Sequence, residues 1–365
     1  MLEYIQNFFY DSISSSNKSV NNENKNSSDY LPNKSSYKKL KKIQNILSSS
    51  NQTENKFNQI KSLCWSGLPF SHPEIRAKIW RMLLYKNYYN NNILLKKYRE
   101  YRETVLIFDS ILDDPKNRMN EKEYKIYKDI TKDVLRTFPD YKIFNIDYIK
   151  KILIRVLYIW SMRNKEVSYI QGFNDLCCPF IIVFINEQLK NEKFEKILNL
   201  ENEELMEIDY DILMQIECDV YWCYTVLMKK IQNDFNIDKL IINFQEMIKL
   251  NDIELYLHLK KNNIFFMQFL FRWMNCFLIR EFSLKNIIRI WDSFFSEDSS
   301  YNNFILCICT SLLINFSEEL RTIDNDQNLI KFLQNIPTND WNIENIEILL
   351  AKSYQISTKL SNLLN

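Results

Sequence analysis

Only two glycines, Gly67 and Gly172, occur in this chain of 365 residues, and that scarcity constrains the fold more than any other feature. Tight β-hairpins lean on glycine and Asn-Gly at positive φ, so a hairpin-rich architecture is not expected. Two isolated glycines cannot write a G-x-x-x-x-G-K-[ST] loop or a G-x-G-x-x-G fingerprint, so nucleotide binding by either route is excluded. The two histidines, His72 and His258, are too few for a multi-His metal centre and argue against imidazole acid–base catalysis. His72 is read as a surface residue.

The apolar periodicity that remains is helical. Ile149, Ile152, Leu153, Val156, Leu157 and Trp160 make a broad stripe at the helical period. Similar stripes run through Leu213–Met228, Phe265–Leu278 and Asn303–Phe316. Pro139 is expected to close the segment before it, and Ser283 to cap the run after it. Strand alternation is absent, so the expected class is all-α. Apolar residues at 46% are ample for a large core.

Charge and cysteines narrow the functional classes. Lys+Arg total 47 against 46 Asp+Glu, a balance that argues against a broad grip on nucleic acid. The eight cysteines include no C-x-x-C pair and are read as buried small hydrophobes in a reducing compartment. The apolar runs Cys177–Ile185 and Phe304–Phe316 fall short of a membrane span. The first residues lack the basic start and apolar run of a signal peptide. The expected location is cytoplasmic, or peripheral on a membrane. Residues 1–37, rich in Ser, Asn and Lys around Ser14–Ser36, are expected to be a disordered leader. Tyr89–Asn92 is read as a loop tip, residues 38–62 as a helical approach, and 63–361 as the main domain.

Three stretches carry chemistry. In Ile130-Thr-Lys-Asp133-Val-Leu-Arg136-Thr137-Phe-Pro139, helical spacing sets Asp133 and Arg136 on one face as a charge-assisted pair. Pro139 forces the chain out of the helix there, which leaves Arg136 at a helix exit; an arginine complementing the helix dipole is the plainer alternative. In Ser168-Tyr169-Ile170-Gln171-Gly172-Phe173-Asn174-Asp175, Gly172 marks a close backbone approach or a positive φ. Amides capping the next helix are the alternative there. The third stretch interleaves Arg272-Trp273, Arg280-Glu281 and Arg289-Ile-Trp291-Asp292, read as arginines buried against carboxylates and indoles.

Taken in order, I-x-x-D-x-x-R-T-x-P followed by Y-x-Q-G resembles the two signature motifs of the TBC domain, the Rab GTPase-activating family. Trp65-Ser66-Gly67-Leu68-Pro69 with Arg76 and Trp80 is similar to its opening motif, and Glu217-Cys-Asp219-Val-Tyr-Trp222 to its E-x-D-x-x-W helix. The three Arg/Trp pieces match its C-terminal lobe in order. The late wording, NDL-x-x-P-F, F-R-W-M-N and P-T-x-x-W, most resembles the subfamily linked to early-Golgi Rabs.

The resemblance implies a two-lobed helical domain, with an N-lobe over about 63–200 and a C-lobe over about 201–361. It implies a GTP-bound Rab partner that carries the GTP and Mg²⁺, so that no cofactor belongs to this chain. Arg136 is then expected to supply an arginine in trans and Gln171 to orient the attacking water. Asp133 orients Arg136, while Thr137, Tyr169, Gly172, Asn174 and Asp175 shape the site. The family writes P-x-x-x-R where this chain has Pro69-Phe-Ser-His-Pro-Glu-Ile-Arg76, which leaves open whether Arg76 supports the scaffold or meets the partner. A Rab-binding scaffold without catalysis, and a helical adaptor with no GTPase partner, are the competing readings.

Overall fold

A computed structural model describes residues 34–48, 54–85, 91–112, 114–189, 192–233, 236–297 and 300–364. Most of the expected leader lies outside the described residues, but a helix already begins at Lys34, inside the expected limit of 37. Of the expected loop tip, residues 89–90 lie outside the described residues and Asn91 opens a helix.

The main helices are α1 (Lys34–Ser48), α2 (Glu54–Trp65), α3 (Pro73–Leu84), α4 (Asn91–Leu112), α5 (Glu121–Val134), α6 (Asp147–Arg163), α7 (Cys178–Gln188), α8 (Tyr210–Asn233), α9 (Ile237–Asn251), α10 (Met267–Asn275), α11 (Leu284–Ser296), α12 (Tyr301–Asn315) and α13 (Ile343–Leu364). Shorter helices and turns join them, and the described residues contain no strand. Leu40–Asn365 is one compact unit; of the unit before it, Met1–Lys39, only the first turn of α1 is described.

Local chemistry sets the helix ends. Pro73 opens α3, where its missing N–H costs no helical bond. Asn120 and Glu123 form a reciprocal capping box at the start of α5. Ser283 caps α11 as expected, accepting from the amide of Asn286. Gly67 ends α2 at φ +81°, and its amide returns to the Cys64 carbonyl at 2.8 Å. A Cβ at Gly67 would strike the Arg289 guanidinium, so glycine is required there both by φ and by space.

Within the Leu40–Asn365 unit, α5 lies on α6, α7 on α3 and α8, and α12 between α9 and α13. Trp80, Trp291, Phe180 and Phe295 from α3, α11 and α7 form one aromatic cluster, the Trp80–Phe295 centroids 5.0 Å apart and edge-to-face.

Three buried acids close the framework. Asp292 accepts from the Leu68 amide at 2.8 Å, Trp80 Nε1 at 2.8 Å and Arg76 Nε at 3.1 Å. Arg76 is buried, with its other donor on the Leu68 carbonyl and its guanidinium over the Phe70 ring. It therefore supports the scaffold and is in no position to meet a partner. The residues that lengthen the loop before it include that Phe70, which also packs against Phe194. Glu217 takes Arg155 at 2.5 and 2.9 Å and the Tyr101 hydroxyl at 2.9 Å. Asp219 takes Arg81 at 2.8 Å.

The stripe over Phe265–Leu278 is helical only across α10. The backbone leaves the helix after Asn275, and Phe277 and Leu278 adopt left-handed φ of 48° and 58°. The apolar pattern persists past the helix end because the turn itself is buried.

Candidate functional site

The site grows from the end of α5. After Val134 the helix tightens: the Arg136 amide bonds to the Asp133 carbonyl at 3.1 Å and the Thr137 amide to the Val134 carbonyl at 3.2 Å. Phe138 then takes a left-handed φ of 40° ahead of Pro139. This exit turn sends Arg136 outward, with 37% of its side chain exposed, while Asp133 stays 7% exposed beneath it. Arg136 Nη2 and Nε donate to Asp133 Oδ1 at 2.6 and 3.1 Å. Next to it Leu135 is 66% exposed, an apolar side chain at the surface that the sequence did not single out.

Gln171 comes from the connection between α6 and α7. The turn Ile170–Phe173 is closed by a bond from the Phe173 amide to the Ile170 carbonyl at 3.1 Å. Gly172 occupies the position of that turn that demands positive φ, at +98°. A Cβ there would lie 2.8 Å from Cys276 Sγ. Ser168 is also left-handed, φ 60°, so two unusual backbone positions flank the glutamine. Gln171 is half-buried, and its Nε2 is enclosed without a hydrogen-bond acceptor. The carboxamide is thus enclosed at its nitrogen, on a residue that is itself only half-buried.

One hydrogen-bonded network joins the two stretches. Tyr169 Oη donates to Asp133 Oδ2 at 2.7 Å and lies 3.3 Å from Asn174 Oδ1. Asn174 Nδ2 donates to Thr137 Oγ1 at 2.8 Å and to Asp175 Oδ1 at 2.7 Å. The Thr137 hydroxyl returns to the Asp133 carbonyl at 2.9 Å. Asp133, Thr137, Asn174 and Asp175 are buried, and each carries a partner, as buried polar groups must. Burial first, and then the charge of Asp133, hold the Tyr169 hydroxyl well above the usual phenol range. Tyr169 therefore stays protonated and donates, which fixes the direction of the network. The amides do not cap α7: Asn174 spends both donor contacts on this network, and no side chain caps the helix start.

Two further side chains brace the glutamine turn from α10 and the turn that follows it. Asn275 Nδ2 lies 3.4 Å from the Gln171 carbonyl, and Arg280 Nε donates to Asp175 Oδ2 at 2.6 Å. The sequence pattern sets Arg280 among arginines buried against carboxylates and indoles, and nothing in its neighbours indicates that the acid it meets is Asp175. Arg272 pairs with Glu281 at 2.8 Å and Arg289 with Glu347 at 2.6 Å, away from the network. The His72 ring lies 2.9 Å from the Ser71 hydroxyl. Among the described residues no cluster of His, Cys, Asp and Glu has the makeup of a metal site.

The arrangement therefore offers a surface guanidinium, pre-aligned by a buried carboxylate, and a carboxamide on a turn tied to the same carboxylate through Tyr169. Such a pair can stabilise negative charge and orient water on a docked molecule.

Residues 73–321 match the family described as the Rab-GTPase-TBC domain. The human "TBC1 domain family member 22B" is 30% identical over 323 residues, covering 87% of this chain and 61% of that protein. The "GTPase-activating protein gyp1" of Schizosaccharomyces pombe (strain 972 / ATCC 24843) is 32% identical over 311 residues, covering 81% of this chain and 57% of that protein. The crystal structure of the Ypt/Rab-GAP domain of Gyp1p superposes with a TM-score of 0.76 at 30% identity, covering 89% of this chain and 99% of that one. This chain spans about three fifths of the length of these curated relatives.

Proposed function

We propose, from the premise that this chain belongs to the Rab-GTPase-TBC domain family, that it accelerates GTP hydrolysis by a Rab-family GTPase with Arg136 and Gln171 supplied in trans. The partner brings GTP and Mg²⁺. Arg136 meets the charge that develops on the transferring phosphoryl oxygens, where its planar fork offers paired donors that a lysine lacks. Gln171 orients the attacking water. Asp133 keeps Arg136 aligned before docking, so little ordering is left for the moment of reaction.

The observation that carries this reading is the single network in which Arg136, Asp133, Tyr169, Asn174 and Thr137 link the arginine exit to the glutamine turn. Exposed Leu135 beside Arg136 supports a protein partner rather than a small molecule. We infer a role in vesicle traffic, with the chain in the cytoplasm or peripheral on Golgi or vesicle membranes.

Single-turnover GTP hydrolysis across a panel of Rabs tests the proposal. Stimulation of at least one Rab, lost in Arg136→Ala and strongly weakened in Gln171→Ala, is the expected result. Binding to a GTP-loaded Rab with no acceleration on any member overturns it in favour of a silent scaffold.

A further inference from the structure

Arg280 sits in the turn between α10 and α11, which is buried except at Arg280 and at the cap residue Ser283. Phe277 and Leu278 just before it are both left-handed, φ 48° and 58°, a conformation that non-glycine residues rarely adopt. The ion pair of Glu281 with Arg272 and the bond of Thr338 to the Glu281 carbonyl hold the turn in place. So held, the turn delivers Arg280 Nε to Asp175 Oδ2 at 2.6 Å, with 31% of the arginine side chain still exposed.

The far ends of this network carry opposite charges in matched number. Asp175 is 5% exposed and Asp133 7% exposed, and they are joined through Asn174 and Tyr169. Arg280 grips one acid and Arg136 the other. Asp175 first, and Asp133 as a lesser cause, hold the Arg280 guanidinium above its ordinary range, so the field of Arg280 reaches both acids. A buried carboxylate stripped of its partner is costly and draws any neighbouring cation toward it.

We propose that Arg280 is a positioning residue for Arg136: by neutralising Asp175 it limits the pull of the acid pair, so that Arg136 can leave Asp133 for the phosphate of a docked partner. This rests on the function proposed above. Without Arg280, the network holds two buried carboxylates against one paired guanidinium, and moving Arg136 to the partner leaves both uncompensated.

The test is a charge rescue. Arg280→Gln should lower kcat of stimulated hydrolysis about tenfold, equivalent to about 1.4 kcal/mol of added barrier, with a smaller change in KM. Asp175→Asn combined with Arg280→Gln removes both charges and should return kcat to within about twofold of wild type. A purely structural brace predicts the reverse, the double variant at least as impaired as the single. Wild type and Arg136→Ala run alongside: if wild type stimulates and Arg136→Ala does not, the function stands, and a wild-type kcat in Arg280→Gln or a failed rescue overturns the Arg280 proposal alone. A readout without any GTPase is hydrogen exchange at the Arg136 Nε–H, followed by ¹⁵N NMR in the free protein. It should slow in Arg280→Gln and recover in the double variant; unchanged exchange in Arg280→Gln overturns the proposal even if no Rab responds.

Discussion

Arg136 shows how little freedom the site leaves to a single residue. It is held at two nitrogens by one oxygen of Asp133, yet more than a third of it faces solvent. Arg136→Lys keeps the charge but loses the fork. The expected outcome is loss of most of the stimulation, which for a trans-supplied arginine is worth roughly 10³–10⁵ in rate. The melting temperature should change little, because Lys can still pair with Asp133; single-turnover kinetics alongside thermal denaturation check both. Gly172→Ala is the complementary case. Its φ of +98° and the Cys276 sulfur 2.8 Å from a new Cβ predict a loss of about 1–2 kcal/mol from the backbone alone. Because Gly172 adjoins Gln171, stimulated hydrolysis should fall further than urea-measured stability accounts for. Arg136 and Gln171 stand out in the sequence because their motifs are local. The network through Asp133, Tyr169 and Asn174 that joins the two stretches does not, since it depends on packing that no spacing encodes.

Elements tell a more uneven story. The stripe from Ile149 to Trp160 maps onto α6, and the run from Leu213 to Met228 onto α8. The stripe over Phe265–Leu278 misled, because a buried turn needs apolar residues as much as a helix does, and left-handed Phe277 and Leu278 carry no composition signal. Arg76 was ambiguous for a different reason: its partner Asp292 lies 216 residues away, and periodicity reads only near neighbours. The element-scale prediction follows from that pairing. Asp292→Ala strands a guanidinium that is 2% exposed and should cost about 3–5 kcal/mol by urea unfolding. The exposed pair Lys196–Glu192, with side chains 48% and 39% exposed, serves as a control: Glu192→Ala should cost less than about 1 kcal/mol.

At the scale of the whole molecule, all eight cysteines are unbridged and buried, spread from Cys64 to Cys309. Burial pushes the Cys276 thiol up to about 11, so at pH 8 roughly one molecule in a thousand carries its thiolate. Native protein at pH 8 should therefore react slowly with a chromogenic disulfide reagent, while guanidinium-unfolded protein releases all eight equivalents; fast native reaction would mean the core opens readily. The same interior has a consequence for how the chain is made. The Leu68 amide, the Trp80 indole and the Arg76 guanidinium all wait for one carboxylate, 224, 212 and 216 residues downstream. At ribosomal speeds of about 5–20 residues per second, that acid is synthesised about 11–45 s after them. Until then Trp80 Nε1 and Arg76 Nε can bond only to water, so the N-terminal helices cannot reach their final packing before residue 292 has been made.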